Sequence, residues 1–430
     1  MQRAADWLTV EDALARVLDS VAPLPPEDVP LLDALGGVLA SAIVSPIDHP
    51  PWDNSAMDGF AVRSSDVMGA TPDRPRVLRV VESVPAGGFP TREVGAGEAI
   101  RIMTGAPIPA GADGVVRVEH TRDAGAGSVE IVNDMDAGRN LRPKGEDVQA
   151  GAAVMGAGRR LRAAEIGLLA TMGQATVPLH RRPRVAILAT GDELVDLDAF
   201  GEVIAGRRIV NSNSYALAAA VRATGGEAIL LGIARDERSS IAAHLARSLD
   251  ADVLVTTAGA SVGDHDVVKD ALIDAGFVLD FWRVQMRPGS PFSYGWLPRT
   301  SRAPLPVFGL PGNPVSALVT FEVFVRPAMR RLAGRSDVFS RTARVRAGRH
   351  IQSKRGLTHF LRARLERSDD GMPLAVLTGP QGSGLVSSMA NADALLVVPL
   401  DVDRVDAGEM VNAILLEPSD AAQTEPGYLD

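Results

Sequence analysis

The chain has no cysteine in 430 residues. Disulfides, thiolate nucleophiles and cysteine-bound zinc are thereby excluded, and a cytoplasmic location is the default expectation. Long apolar runs are missing too. Although 46% of the residues are apolar, no stretch approaches the ~18 consecutive apolar residues of a membrane span. The opening MQRAADWLTVEDALARVL carries acidic residues and no apolar core, so it reads as a helix start rather than a secretory leader. Positive charge is in deficit. With 44 lysines and arginines against 53 aspartates and glutamates the net charge is -9, which argues against general nucleic-acid binding. An anionic ligand needs a local basic pocket.

The length that is present suggests about two to four domains. Thr9-Val10-Glu11-Asp12 ahead of Ala13, Leu14, Val17 and Leu18 predicts an N-capped amphipathic helix, and a second short helix is expected around Leu31 to Leu39. Short β-like runs then follow (VLRVVESV, AIRIMTG, GVVRVE, SVEIVN), split by glycine and proline, until LRAAEIGLLATMG returns to helical spacing. Four apolar strands come next, RVAILATGDEL, EAILLGIARDE, ADVLVTTAGASVGD and LPVFGLPGNP, each followed by a loop and a helical pattern. That alternation specifies a doubly wound parallel sheet. After PVSALVTFEVFVRPAMRRL the chain reads as a small β-barrel or sandwich. The expected fold is multidomain α/β plus β. Residues 1–45 and 146–178 form an elongated helical linker domain and 46–145 an inserted mostly-β domain; 179–335 form the α/β domain, 336–418 a C-terminal β-barrel-like domain, and 419–430 an acidic, disordered tail.

Each strand end of the predicted sheet delivers a different chemical kit to one edge, where α/β proteins hold anionic ligands. The first ends in Gly191, Asp192 and Glu193, the second in Arg235, Asp236 and Glu237. Asp192 and Asp236 fit a helix cap as well as a ligand contact, whereas Glu193 reads as functional. The third loop carries Gly259, Ser261, Gly263, Asp264, His265 and Asp266, with Lys269 one turn into the helix. The fourth, GLPGNPVSAL, sets Pro311 and Pro314 beside Gly309 and Gly312, a rigid floor open to close approach. Between them, Arg283 and Arg287 of FWRVQMRPGSPFSYG would share one face of a strand and make a cationic clamp; ordinary solvation is the competing reading. Acids beside arginines suit a divalent cation with a phosphate ester. In the first half, the turn-rich loop Pro50 to Phe60 holds Asp58, for which an Asx-turn with Gly59 is the bland reading. Thr104 lies in a rigid MTGAPIP corner, and Arg142, Lys144 and Asp147 lie in RNLRPKGED, for which a salt-bridged hinge is the alternative.

Taken in order, SAMDGFA, TGAPIPAGADGVV, LRPKGED, TGDEL, AGASVGDHD, MRPGSP, GLPGNPVSAL and GSGLVSSMANAD make the chain resemble the molybdopterin molybdenumtransferase family, the MoeA-like proteins and the gephyrin E domain, over nearly its whole length. The resemblance implies magnesium-dependent insertion of molybdate into adenylylated molybdopterin, releasing AMP in molybdenum cofactor biosynthesis. It also implies a homodimer whose cleft joins the sheet domain of one subunit to the β insertion of the other, and brief contacts with other proteins of the same biosynthesis. By position it assigns function to Asp58, Thr104, Arg142, Asp147, Glu193, Asp236, Asp266, Arg283 and Arg287. Glu193, Asp236 and Asp266 would hold or orient magnesium. Thr190, Gly191, Ser261, Gly263, Lys269, Pro311, Gly312, Pro314 and Ser383 would contact the pterin substrate. The chain departs from the family's FWK and KPGKP pattern at Arg283, Arg287 and Ser290; the arginines keep charge but replace a point charge by a planar fork. Ala258 stands where the family usually has a glycine. A tungstate-inserting paralogue, a molybdopterin adenylyltransferase and a non-catalytic pterin-binding scaffold are the alternative functions. Sequence does not separate molybdate from tungstate.

Overall fold

Thr9 starts the first helix, α1 (Val10–Asp19), as expected: its hydroxyl oxygen accepts from the Asp12 amide at 3.0 Å. In the computed structural model, residues 7–257, 267–300, 302–368 and 371–416 are described. The chain divides into two compact units, Met1–Ala40 with Gly158–Ile166 and Thr176–Asp430, and Ser41–Ala157 with Gly167–Ala175. The helix expected at Leu31 to Leu39 is a single 3₁₀ turn, Leu31–Asp33. Its apolar residues have no face to bury, Leu32 being 92% exposed, and Gly36 turns the chain at φ 77°. Val38 and Leu39 instead bridge to Arg160 and Leu179. LRAAEIGLLATMG does form a helix, α2 (Ala163–Thr171).

The second unit holds a six-stranded sheet built from β1 (Gly59–Val62), β2 (Arg76–Val84), β3 (Glu98–Ile102), β4 (Gly114–Arg117), β5 (Thr121–Gly125) and β6 (Ser128–Ile131), in the order β4-β1-β3-β2-β6-β5. Only β2 and β3 run parallel. Alternate side chains fill two faces, Phe60, Val62 and Val116 on one and Ala61, Ile100 and Val115 on the other. Gly59 is required by β4: a Cβ there would meet the Val116 carbonyl oxygen at 2.0 Å. Behind β4, the buried Asp136 carboxylate accepts two 2.9 Å bonds from the Arg117 guanidinium, one at 3.1 Å from the Arg117 amide, and lies 2.9 Å from His120 Nδ1.

In the first unit, β7 (Arg184–Thr190), β8 (Glu227–Ala234), β9 (Val253–Thr256), β10 (Val278–Trp282), β12 (Ser293–Leu297) and β13 (Leu305–Gly309) form a sheet in the order β8-β7-β9-β13-β12-β10. β8, β7, β9 and β13 are parallel; β12 and β10 add an antiparallel edge. Helices α3 (Ser212–Ala223), α4 (Arg238–Ser248), α5 (Val267–Asp274) and α6 (Pro314–Thr320) cover it. Along β7, Val185 and Ile187 pack with α1, α3 and the aromatic group Phe292, Tyr294, Phe308 and Phe324, whereas Ala186 and Leu188 pack with α4 and α5. Burial on both faces explains the uninterrupted apolar strands. β14 (Thr342–Ala347), β15 (Thr358–Arg367), β16 (Pro373–Leu377), β17 (Ala394–Val398) and β18 (Met410–Leu415) pair round a closed ring, β15-β16-β14-β18-β17 and back to β15, while the two-residue strand β11 (Met286–Arg287) joins β15 in parallel. No helix among the described residues is long and apolar enough to cross a membrane.

Burial of Asp136 acts to raise its pKa, but its hydrogen bonds from Arg117 outweigh that and bring it down to about 2. A carboxyl with a folded pKa below its unfolded value near 3.9 stabilises the fold above that value and loses the contribution as pH falls towards 2, here about 2 kcal/mol. Asp136→Asn should therefore lower the urea stability of the inserted sheet at pH 7 and change it little at pH 2, the two unfolding curves providing the check.

Candidate functional site at the carboxyl ends of the parallel strands

β7, β9 and β13 end around a cavity of about 690 Å³. Thr190 closes β7 and Thr257 follows β9; both line the cavity, and they are only 4% and 3% exposed. Among the described residues neither Oγ1 has a hydrogen-bond partner. A buried hydroxyl without a partner costs about 1–3 kcal/mol, so two at one opening mark a place where an outside group is expected to bond. Gly191 turns the chain between Thr190 and Glu193 at φ 144°, and a Cβ there would lie 2.6 Å from the Glu193 carboxylate. The floor is the PGNP loop: Gly312, Asn313 and Pro314 line the cavity. Asn213, in the first turn of α3, donates to the Gly312 carbonyl at 2.7 Å, and Asn211 caps α3 by accepting from the Ser214 amide at 3.3 Å. From the barrel, Ser383 accepts from the Val315 amide at 3.0 Å, and its neighbour Gly384 lines the cavity.

The helix-cap readings of the acids do not hold. After Glu193 the chain enters a short strand pair, Leu194–Val195 with Ile209–Val210, because the four paired apolar positions, three of them β-branched, favour a ladder over a helix. No helix starts at Asp192. α4 begins at Arg238 with no side-chain cap, and Asp236 instead accepts from the Asp192 amide at 3.4 Å while its own amide donates to Asp192. Glu193 lines the cavity and Asp236 sits beside it at the end of the neighbouring strand. Among the described residues no three His, Asp or Glu side chains come together as a metal site. Ser261, Gly263 and Asp266 lie outside the described residues, and Lys269 stands in the first turn of α5.

The single-strand arginine clamp is also corrected. β10 stops at Trp282 and Arg283 turns at φ 72°, so Arg283 and Arg287 do not share a strand face. Arg287 lines a second cavity of about 600 Å³ with Arg349, Lys354, His359 and Arg362 and without any Asp or Glu. Arg362 is wholly buried. Its guanidinium donates to Ser388 Oγ at 3.1 Å and to the carbonyls of Gln381 at 3.2 Å and Gly382 at 3.0 Å, and burial lowers its pKa. Burial likewise lowers that of His359. Sequence reasoning missed both. The available signal was FLRARL, where Arg362 falls in step with the core residue Phe360.

In the inserted sheet, Asp58 makes no Asx-turn. Its Oδ1 accepts from the Thr104 amide and hydroxyl, each at 2.7 Å, and these two bonds, the amide foremost, hold its pKa below the ordinary value. Arg142 pairs with Asn54 in a two-residue ladder. Asp147 and Glu146 line a cavity of about 490 Å³.

Three sequence profiles match the chain: the MoeA N-terminal region (domain I and II) over residues 8–173, the probable molybdopterin binding domain over 186–331, and the MoeA C-terminal region (domain IV) over 344–416. The molybdopterin biosynthesis moeA protein of Pyrococcus horikoshii OT3 superposes with a TM-score of 0.81 at 31% identity, covering 96% of this chain and 100% of that one. The fold is thus that of a multidomain MoeA protein. Among curated relatives, molybdopterin molybdenumtransferase 2 of Mycobacterium tuberculosis is 41% identical over 391 residues, 89% of this chain and 93% of its own, and the molybdopterin molybdenumtransferase of Nostoc sp. is 38% identical over 393 residues, 91% and 88%. The chain belongs to the molybdopterin molybdenumtransferase family, a family of transferases.

Because its hydroxyl has no partner among the described residues, Thr257→Val should leave the melting temperature unchanged or raise it, whereas Gly191→Ala should destabilise by about 1–3 kcal/mol. Calorimetric unfolding of the two variants measures both effects.

Proposed function

We propose that this chain acts in molybdenum cofactor biosynthesis by inserting molybdate into adenylylated molybdopterin with release of AMP. The observation that carries the reading is the cavity at the ends of β7, β9 and β13, where two buried threonine hydroxyls await a partner. Thr190, Thr257 and Asn213 would orient the pterin nucleotide, and Gly312 lets it approach the backbone. The acid-free basic hollow around Arg287 and Arg349 is suited to the oxyanion, since guanidinium groups freed of carboxylates bind tetrahedral anions by charge-assisted hydrogen bonds.

Magnesium fits a donor set of this kind, because it takes one or two carboxylates and completes its shell with water and substrate phosphate. Glu193 would hold it, with Asp236 adjacent and Asp266 as a third candidate. Its chemistry there is neutralisation of phosphate charge. As part of the same reading the enzyme works as a homodimer, with Asp58, Thr104, Arg142 and Asp147 serving from a second copy, in the four-domain arrangement expected from the sequence.

Purified protein incubated with adenylylated molybdopterin, magnesium and either molybdate or tungstate should release AMP in step with metal insertion. Absence of AMP with both oxyanions would remove the reading. Asp58→Asn and Glu193→Gln should each cut turnover by about 100-fold or more. Denaturing and refolding the two together should restore roughly a quarter of wild-type activity, as mixed twofold dimers regain one intact site; no recovery on mixing would remove the shared site.

A further inference from the structure

Arg283 adopts a left-handed backbone conformation that is uncommon for residues other than glycine, while its amide donates to the Phe292 carbonyl at 2.9 Å. Its guanidinium carbon lies 3.8 Å from the Trp282 ring centroid and 5.1 Å from that of Trp7, both within the ~6 Å reach of a cation–π contact. Trp7 comes from the far end of the chain and is anchored locally: Leu8 bridges to Val284 and accepts from the Gln285 amide at 2.8 Å. The Val284 amide in turn donates to Ser290 at 3.2 Å, joining the turn to the MRPGSP loop that leads into the basic hollow. Among the described residues no hydrogen bond or ion pair engages the Arg283 side chain. A guanidinium gripped by ring faces keeps its N–H edge for an anion, an arrangement a lysine ammonium does not reproduce.

We infer that Trp7 and Trp282 are positioning residues that hold Arg283 by its face and aim its N–H edge at an oxyanion or phosphate. This chain's arginine, where the family pattern has lysine, depends on that pair. The inference rests on the proposed function for the identity of the anion, and its test separates the two.

The full chain, Trp7→Leu, Arg283→Lys and the double variant are titrated calorimetrically with molybdate and, separately, with AMP. In the Arg283 background Trp7→Leu should weaken at least one probe about three- to tenfold; in the Arg283→Lys background it should change neither by more than about twofold. Equal losses in both backgrounds, or none in either, would make Trp7 a packing residue and overturn the inference. Melting temperatures establish that each variant is folded. A wild-type chain that binds neither probe and forms no cofactor would count against the proposed function alone. The cradle is then judged by fluorescence. The chain has four tryptophans, and with Trp52 and Trp296 replaced by phenylalanine, Arg283→Ala should shift the emission of the remaining two; unchanged emission would refute the cradle irrespective of catalysis.

Discussion

A parallel strand buried on both faces can display polar chemistry only at its ends. In β7 this constraint is complete: Val185 to Ala189 are all without exposure, two phases of side chain serving two cores. The first polar residue it reaches is Thr190, and Thr257 directly follows β9, its amide donating to the Leu188 carbonyl of β7. Both are still inside the fold, where the ladder engages their backbones but offers their hydroxyls no partner. Their unpaired hydroxyls are a consequence of where the apolar strands stop.

The same constraint separates two kinds of recognition. At the strand ends the cavity offers threonine hydroxyls, asparagine amides and the bare backbone of Gly312, with Glu193 as its one charged lining residue. The barrel side offers cations without acids. The chain bears a net negative charge, so a hollow with several cations and no carboxylate is a local reversal of its own field. Arg362 has the most extreme position. Its charge is buried among carbonyl dipoles and one serine hydroxyl, and removal of a buried charge's counterion is normally costly. A carboxylate would have stabilised the arginine more cheaply but would have filled the hollow and repelled an incoming anion.

Much of this was legible beforehand, and the limits were physical. The four parallel strands were readable because burial on both faces writes unbroken apolar runs, and the Thr9 cap because its geometry is local. Two of the four strand-end loops, TGDEL and GLPGNP, meet at one cavity through Thr190, Glu193, Gly312 and Pro314, while Arg287 lines another. Local patterns failed wherever tertiary partners decided the outcome. Asp58 had the look of an Asx-turn, yet its partner is Thr104, 46 residues away. Arg283 and Arg287 had strand spacing, but a positive φ at the first of them ended the strand. Asp192 and Asp236 had the spacing of helix caps and bond each other instead. Arg362 was missed because an arginine inside a short β run reads as the exposed member of an alternation, although its step from Phe360 placed it on the buried face.

That Arg283 and Arg287 are arginines rather than lysines has a geometric consequence. Lysine brings a compact, strongly hydrated charge on a flexible stem, which needs little support but forms no fork. Arginine brings direction, and direction has value only if the plane is held. At 283 the surroundings supply that hold in Trp282 and Trp7; at 287 the backbone is pinned by pairing with β15 of the barrel. Ser290 is consistent with this division. Its hydroxyl turns inward to the Met286 carbonyl and tightens the turn that carries Arg287, so this side chain contributes rigidity where the neighbouring arginine contributes charge.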